Sequence, residues 1–244
     1  MDNQLRSLML SGAANRQTII HFPNGEHNDI TEGFYSGSLK LEEILCASEN
    51  LNFGECNAAK FEAQISGLDD ISNTIIYVYQ KVAVGDELTN ILLANSGNRI
   101  ITRSGQNILV GRQADYILPL FYGRVDSAEL QTDKINRSII AYDELYFNGD
   151  KNCADWYTSF FESTGTHTLK AFRNSLFQFI GIEQGQATLV NDSMIIEENL
   201  STTTLKFSDV IKAICQINGC FGHIDRSGVF QYIYLDTNNT TYDI

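Results

Sequence analysis

The spacing of apolar residues changes once along the chain. Before about residue 143 apolar positions tend to alternate with polar ones; beyond it they recur every third or fourth residue. In Lys60-Phe-Glu-Ala-Gln-Ile-Ser66 the alternation puts Phe61, Ala63 and Ile65 on one face of a half-buried strand. Residues 74–82 are β-branched and aromatic, which predicts the strongest strand of this half. Residues 17–22 read as a strand closed by Pro23-Asn24-Gly25, because Asn and Gly tolerate positive φ. Residues 34–41 alternate loosely. Residues 116–122 and 125–130 read as two further strands, and 136–142 returns after a polar turn at 131–134. Residues 3–11 suit a short helix ending at Gly12. Residues 85–112, with only two short apolar runs, suit a long loop or an excursion carrying a hairpin. Many short strands between turn signals predict a barrel or sandwich.

The second half predicts helices. Residues 150–161 gather Trp156, Tyr157 and Phe160 on one side. Residues 166–180 repeat Leu169, Phe172, Leu176, Phe179 and Ile180 at helical spacing and stop at Gly181. A third helix is expected behind Ser208 as N-cap, carrying Val210, Ile211, Ile214 and Cys215 and ending at Gly219. Met194-Ile195-Ile196 suits a short strand between the last two helices. A hairpin follows the third helix, from Cys220–Ile224 through Arg226-Ser227-Gly228 to residues 229–235, with Gly228 placed for the left-handed position of a three-residue loop. The expected class is therefore α+β: a β-barrel-like domain over 1–145, then a small helix-plus-β-hairpin domain over 146–244.

Composition narrows the function. At 43% hydrophobic and 19% charged, the chain can bury a core. A net charge of -13 argues against a phosphate-binding surface, which needs clustered Lys and Arg to release counterions. The carboxylates are dispersed, as on a self-repelling soluble surface. The N-terminal residues carry no apolar run of signal-peptide length, and no window approaches the ~20 apolar residues of a membrane span. Neither nucleic acid nor membrane insertion is expected. The five cysteines, an odd number without a dense framework, read as reduced thiols.

No familiar catalytic or cofactor motif stands out in the sequence. There is no phosphate-cradling GxxxxGK[ST] or GxGxxG loop, no GxSxG elbow and no HExxH helix. His21 and His27 straddle the Pro23–Gly25 turn, but two histidines do not complete a zinc site, and a solvated pair is expected. Cys215 and Cys220 suit buried small hydrophobes, and Cys153 lacks a placed histidine to activate it. Asp143 and Glu144 are adjacent carboxylates, yet neighbours in one chain rarely face each other; a helix-start role for Asp143 fits better. Tyr77, Tyr79, Tyr116, Phe121 and Tyr122 could stack bases only with interleaved basic residues, and Lys81 and Arg124 are nearly alone. Core and interface roles suit them better. No catalytic, cofactor or metal residue is assigned, and no cofactor is expected.

Several segments, taken in order, carry a family likeness. Phe121-Tyr-Gly-Arg-Val-Asp-Ser127 followed by Ser138-Ile-Ile-Ala-Tyr-Asp-Glu-Leu-Tyr146 resembles the strand pair and AYD-x-LY corner that close the first barrel of phage tail hub (baseplate hub, late control protein D-like) proteins. Leu169-Lys-Ala-Phe-Arg-Asn-Ser-Leu-Phe177 looks like that family's next helix, and residues 209–222 like its helix-to-hairpin element. Residues 19–25 and 51–56 are similar to the openings of prophage tail proteins from gut Firmicutes. The resemblance covers most of residues 17–235. It implies a structural subunit of the virion tail, assembled in the host bacterial cytoplasm as a homotrimer at the end of the tail tube. Two barrels per subunit would give a pseudo-sixfold ring, and other tail proteins (tube, distal tail, tape measure or spike) would be partners. The chain stops at Ile244, where the resemblance leads one to expect a second barrel, so a truncated chain or an abbreviated hub is anticipated. The family has no catalytic residues in this region; Phe121 and Tyr122 are the expected interface anchors. The alternatives are a tail-associated peptidoglycan hydrolase or peptidase built on Asp143, Glu144 or His167, and a receptor- or carbohydrate-binding tail module stacking sugars on Trp156.

Overall fold

The computed structural model describes residues 14–47, 52–67, 69–84, 90–91, 109–110, 114–198 and 203–235. The chain is α+β, as the two periodicities predict. Its strands are β1 (Ala14–His21), β2 (Lys40–Glu42), β3 (Lys60–Ser66), β4 (Ile75–Val84), the short pair β5 (Asn90–Ile91) and β6 (Leu109–Val110), β7 (Ala114–Leu130) and β8 (Asn136–Tyr142). Four helices follow, α1 (Glu144–Asn148), α2 (Ala154–Glu162), α3 (Leu169–Ile180) and α4 (Phe207–Asn218), and then the hairpin β9 (Phe221–Ile224) and β10 (Phe230–Ile233). Six strands form one antiparallel half-barrel sheet in the order β1-β4-β7-β8-β3-β2. The β5–β6 pair gives the 85–112 excursion its hairpin. The rest of that excursion, and the helix expected at 3–11, lie outside the described residues.

The described residues fall into two compact units. One comprises residues 14–21, 29–32 and the described part of 78–120; the other comprises residues 22–28 and the described parts of 33–77 and 121–235. In the first, Ile20 and Ile30 exchange backbone hydrogen bonds of 3.0 and 2.9 Å. His21 Nδ1 lies 2.8 Å from Asp29 Oδ1.

In the second unit, β3 pairs with β8 and β8 with β7. Phe61, Ala63 and Ile65 point inward as their alternation predicts, and the Phe61 and Phe121 rings stack with centroids 5.5 Å apart. β7 is one long strand where two were expected. Its pairing with β8 shifts between Val125 and Ser127, so the exposed Asp126 is an extra residue. The bulge rephases the strand: Phe121 and Val125 face inward before it, Ala128 after it. Strand continuity at Gly123 depends on the missing side chain, because a Cβ there would collide with the Tyr142 carbonyl and the Phe121 ring.

The corner between β8 and α1 turns on Asp143. Its carboxylate accepts hydrogen bonds from Leu145 N at 2.9 Å, as the helix cap expected there, and from Ala59 N at 2.7 Å. One buried side chain thus caps a helix and bolts the segment ahead of β3 to it. Burial pushes its carboxyl up to about 7, against the backbone N–H groups of Ala59, Leu145 and Tyr146, which favour the charged form. Next to it, Glu144 pairs with Arg124 of β7 at 2.7 Å, and the Arg124 guanidinium lies 4.8 Å from the Phe147 ring centre.

Beyond the corner, α2–α4 and the hairpin share one apolar core that includes Trp156, Leu176, Phe177, Phe207, Ile214 and Phe230. The starts of these helices differ from expectation. α2 begins at Ala154 and α3 at Leu169, where Thr168 accepts a hydrogen bond from Ala171 N. α4 is preceded by Lys206, not capped by Ser208, and Ser208 lies within its first turn. Burial of Phe207 draws that residue into the helix, and the Phe207 and Ser208 N–H groups donate instead to the carbonyls of Lys151 and Gly149. The strand expected at 194–196 is only an isolated bridge, Thr168 with Ile195. The hairpin turn is as predicted, with Gly228 at φ +85° and Asp225 accepting from Ser227 N and Val229 N. Inside this domain Arg173, 1% exposed, forms a two-pronged pair with Asp192, with both N–O distances 2.8 Å. Burial opposes ionisation of both groups, but their pairing prevails: Arg173 is raised and Asp192 lowered from their ordinary values.

Three outcomes are expected. Gly123→Ala lowers the unfolding free energy by roughly 1–3 kcal/mol in denaturant titrations, as overpacking does. Asp192→Asn leaves the buried guanidinium uncompensated and costs about 3–5 kcal/mol by the same measurement. Asp143 binds its proton more tightly folded than unfolded, so its stabilising contribution is complete below about pH 4 and lost as pH rises toward about 7. The stability of the wild type relative to Asp143→Asn therefore falls by roughly 3–4 kcal/mol between pH 4 and 7. A difference that stays flat across that window contradicts the assignment.

Candidate functional site

The clearest site is apolar. α2 contributes Tyr157 and Phe161, α3 contributes Leu169, and α4 contributes Val210, Ile214 and Ile217, which share one helical stripe. Together with the segment around Ile196 and Leu205 they line a groove of about 430 Å³. Its lining also includes two carboxylates, Glu197 and Asp209. Apolar surface continues beside it. Asn191 donates to the Ile217 carbonyl, which brings the 189–192 turn to the end of α4 and leaves Val190 76% exposed. Ile195 is 65% exposed and Ile217 also reaches solvent. Scattered exposed apolar residues are ordinary, but several beside an apolar groove are what a protein-contact surface requires. Another exposed pair, Leu130 and Ile135, sits at the β7–β8 turn, where Asp133 accepts hydrogen bonds from Ile135 N and Asn136 N.

The residues considered for chemistry do not converge. Asp143 is buried and bonded to backbone N–H groups, while Glu144 turns to Arg124 and to Asn148 Nδ2 at 2.9 Å. The His167 ring packs on Phe160 and Phe161, with centroids 5.0 and 5.1 Å away. Cys153 is fully buried and burial raises its thiol pKa, the reverse of an activated nucleophile. Trp156 is 8% exposed, donates to Ser175 Oγ at 3.0 Å and packs against Phe172, so its ring faces the core and not a sugar. The His21 and His27 side chains take separate partners, Asp29 for the first and the Phe22 ring for the second. Among the described residues no group of three His, Cys, Asp or Glu side chains is placed to hold a metal ion. No helix among them is long and apolar enough to cross a membrane.

Of the two expected anchors, Phe121 is buried against Phe61. Tyr122 is half-buried, with its ring against the Gly228 turn. Sequence reasoning missed two constellations. The Arg173–Asp192 pair gave only a weak signal, a lone arginine inside an apolar helix stripe. Cys56 meets Cys215, with 3.7 Å between their sulfur atoms, although 159 positions separate them.

No protein-family model matches the chain, and no curated protein matches it. Among solved structures the chain is similar to the crystal structure of the prophage MuSo2 43 kDa tail protein from Shewanella oneidensis. The TM-score is 0.50 at 11% sequence identity, and the match covers 93% of this chain and 57% of that one. At such low identity the likeness is one of fold: a phage tail protein's architecture over nearly all of this chain, which spans little more than half the length of its counterpart.

Proposed function

We propose that the chain is a structural subunit of a phage-type tail, in the position of the tail hub or baseplate hub. The observation that carries this reading is the fold likeness to a prophage tail protein along 93% of the chain. The ordered sequence motifs of the hub family point the same way. In this reading the subunit acts by non-covalent contact and carries no catalytic site or cofactor. Its partners are other tail proteins (tube, distal tail, tape measure or spike), and its full-length form is a homotrimer in the virion tail. The apolar groove of α2–α4 and the residues beside it supply area for burial, each large aliphatic side chain being worth roughly 1.5–3 kcal/mol when fully covered. Tyr122 is the more accessible of the two proposed anchors, and Phe121 holds its strand in place from inside. The net charge of -13 keeps unassembled copies apart. The domain boundary is placed at 145/146, close to where alternating apolar positions give way to helical spacing.

Two measurements test this. Sedimentation of the full-length protein with and without purified tail-tube protein is expected to show self-association and a mixed complex. Ile217→Asp and Ile195→Asp, at exposed positions, are expected to weaken either by at least tenfold while leaving the far-ultraviolet circular dichroism unchanged. A protein that stays monomeric at high concentration and does not bind tube protein overturns the reading. Hydrolysis of purified peptidoglycan by the protein would show instead that the chain is an enzyme.

A further inference from the structure

The cysteine cluster is independent of the apolar groove, and the tail role does not use it. Residues 52–56 dock on the end of α4 and the start of the hairpin. Gly54 N donates to the Cys220 carbonyl at 2.9 Å, and Gly222 N to the Glu55 carbonyl at 3.0 Å. Cys56 bridges to Gly222 in parallel register, and its sulfur fills the place where a Cβ on residue 222 would be. That position lets the Cys56 thiol reach the Cys215 sulfur at 3.7 Å, from the loop into the buried face of α4. Cys220 is the third member; its thiol donates to the Cys215 carbonyl at 3.5 Å. Cys215 and Cys220 are fully buried, whereas Cys56 is half-buried. No group of three such ligands among the described residues suits a metal ion, so the contact points to sulfur–sulfur chemistry.

We propose that Cys56 and Cys215 form a thiol-oxidation site, in which Cys56 reacts first with a small-molecule disulfide and Cys215 then closes an intramolecular bond. In the first step the Cys56 sulfur gives up its proton and attacks the disulfide RSSR. Its S–S bond breaks, a Cys56–S–S–R bond forms, and RS⁻ leaves and takes the proton. In the second, the Cys215 sulfur, whose proton is held more tightly than a free thiol's by its hydrogen bonds with Cys220 and Cys56 and by burial, loses that proton slowly, attacks the Cys56 sulfur and expels the remaining RS⁻, which takes the proton. The protein is oxidised by two electrons and RSSR is reduced to two RSH. Burial denies Cys215 and Cys220 direct access to the oxidant, so the order of events follows from exposure. The bond fastens the 52–56 segment covalently to α4 and closes a loop of over a hundred residues, which constrains the unfolded chain strongly. Thiols persist in a reducing cytoplasm and oxidise outside it. A component of a released particle crosses that boundary, and this last point alone rests on the proposed tail role.

The test uses the purified wild-type chain, equilibrated in buffers of reduced and oxidised glutathione, alkylated and mapped by peptide mass spectrometry. The expected result is the loss of two free thiols, one cross-linked peptide pair containing Cys56 and Cys215, and a rise in Tm of roughly 5–15 °C that dithiothreitol reverses. Cys46→Ala and Cys153→Ala retain the cross-link, and Cys56→Ala abolishes it. Retention of five thiols, a glutathione adduct on Cys56 that never resolves, or a bond mapped to Cys215–Cys220 each overturns the proposal. The wild-type map decides even if a variant fails to fold. Because the assay needs no tail partner, its failure leaves the tail reading untouched.

Discussion

The C-terminal half of the protein is organised around one buried charge. Arg173 projects from α3 into the domain and is 1% exposed, so its guanidinium must find an acceptor for nearly every N–H it carries. Asp192 takes two of them and also accepts Leu189 N at 2.8 Å, which ties the turn after α3 into a single conformation. Gln184 accepts a third at 2.8 Å and a further hydrogen bond from the Tyr232 hydroxyl, bringing β10 to the same centre. Apolar packing alone could be satisfied by several arrangements of three helices and a hairpin. A guanidinium with fixed donor directions is much harder to satisfy twice.

The sheet side of the second unit is governed by steric closeness instead of charge. Gly123 allows β7 to lie against the Tyr142 carbonyl, and the Phe61–Phe121 stack fills the space beneath. The bulge at Asp126 then turns the inward face from odd to even positions, so a single long strand keeps its apolar residues inside throughout. At the end of β8, Asp143 joins this strand pair to α1 and Glu144 returns to Arg124 of β7. These contacts make the corner stiff. The exposed apolar residues next to the α2–α4 groove are therefore presented from a scaffold whose geometry is held by buried polar groups.

Much of the architecture was legible in residue spacing. The Lys60–Ser66 alternation, the helical stripe of Leu169, Phe172 and Leu176, the glycine stop at Gly219 and the Gly228 turn each report a local constraint, and local constraints act through neighbours in sequence. Less was legible where a distant contact decided the outcome. Ser208 has the chemistry of an N-cap, yet α4 begins earlier because Phe207 is drawn into the core. Spacing alone separates residues 116–122 from 125–130, and the purpose of Gly123 between them appears only once Tyr142 is beside it.

The same division applies to the candidate sites. By itself the sequence determined the α+β class, the switch from alternating to helical periodicity near residue 143, the acid-rich surface and the lack of any recognisable catalytic spacing. All of these depend on composition or on residues close together in the chain. Tertiary structure alone decided that Arg173 would meet Asp192, that Cys56 would lie against Cys215, and that apolar residues of three helices would leave a groove between them. Such meetings depend on how separate elements pack, and no periodicity along a chain encodes which sulfur or which carboxylate will be waiting across the core.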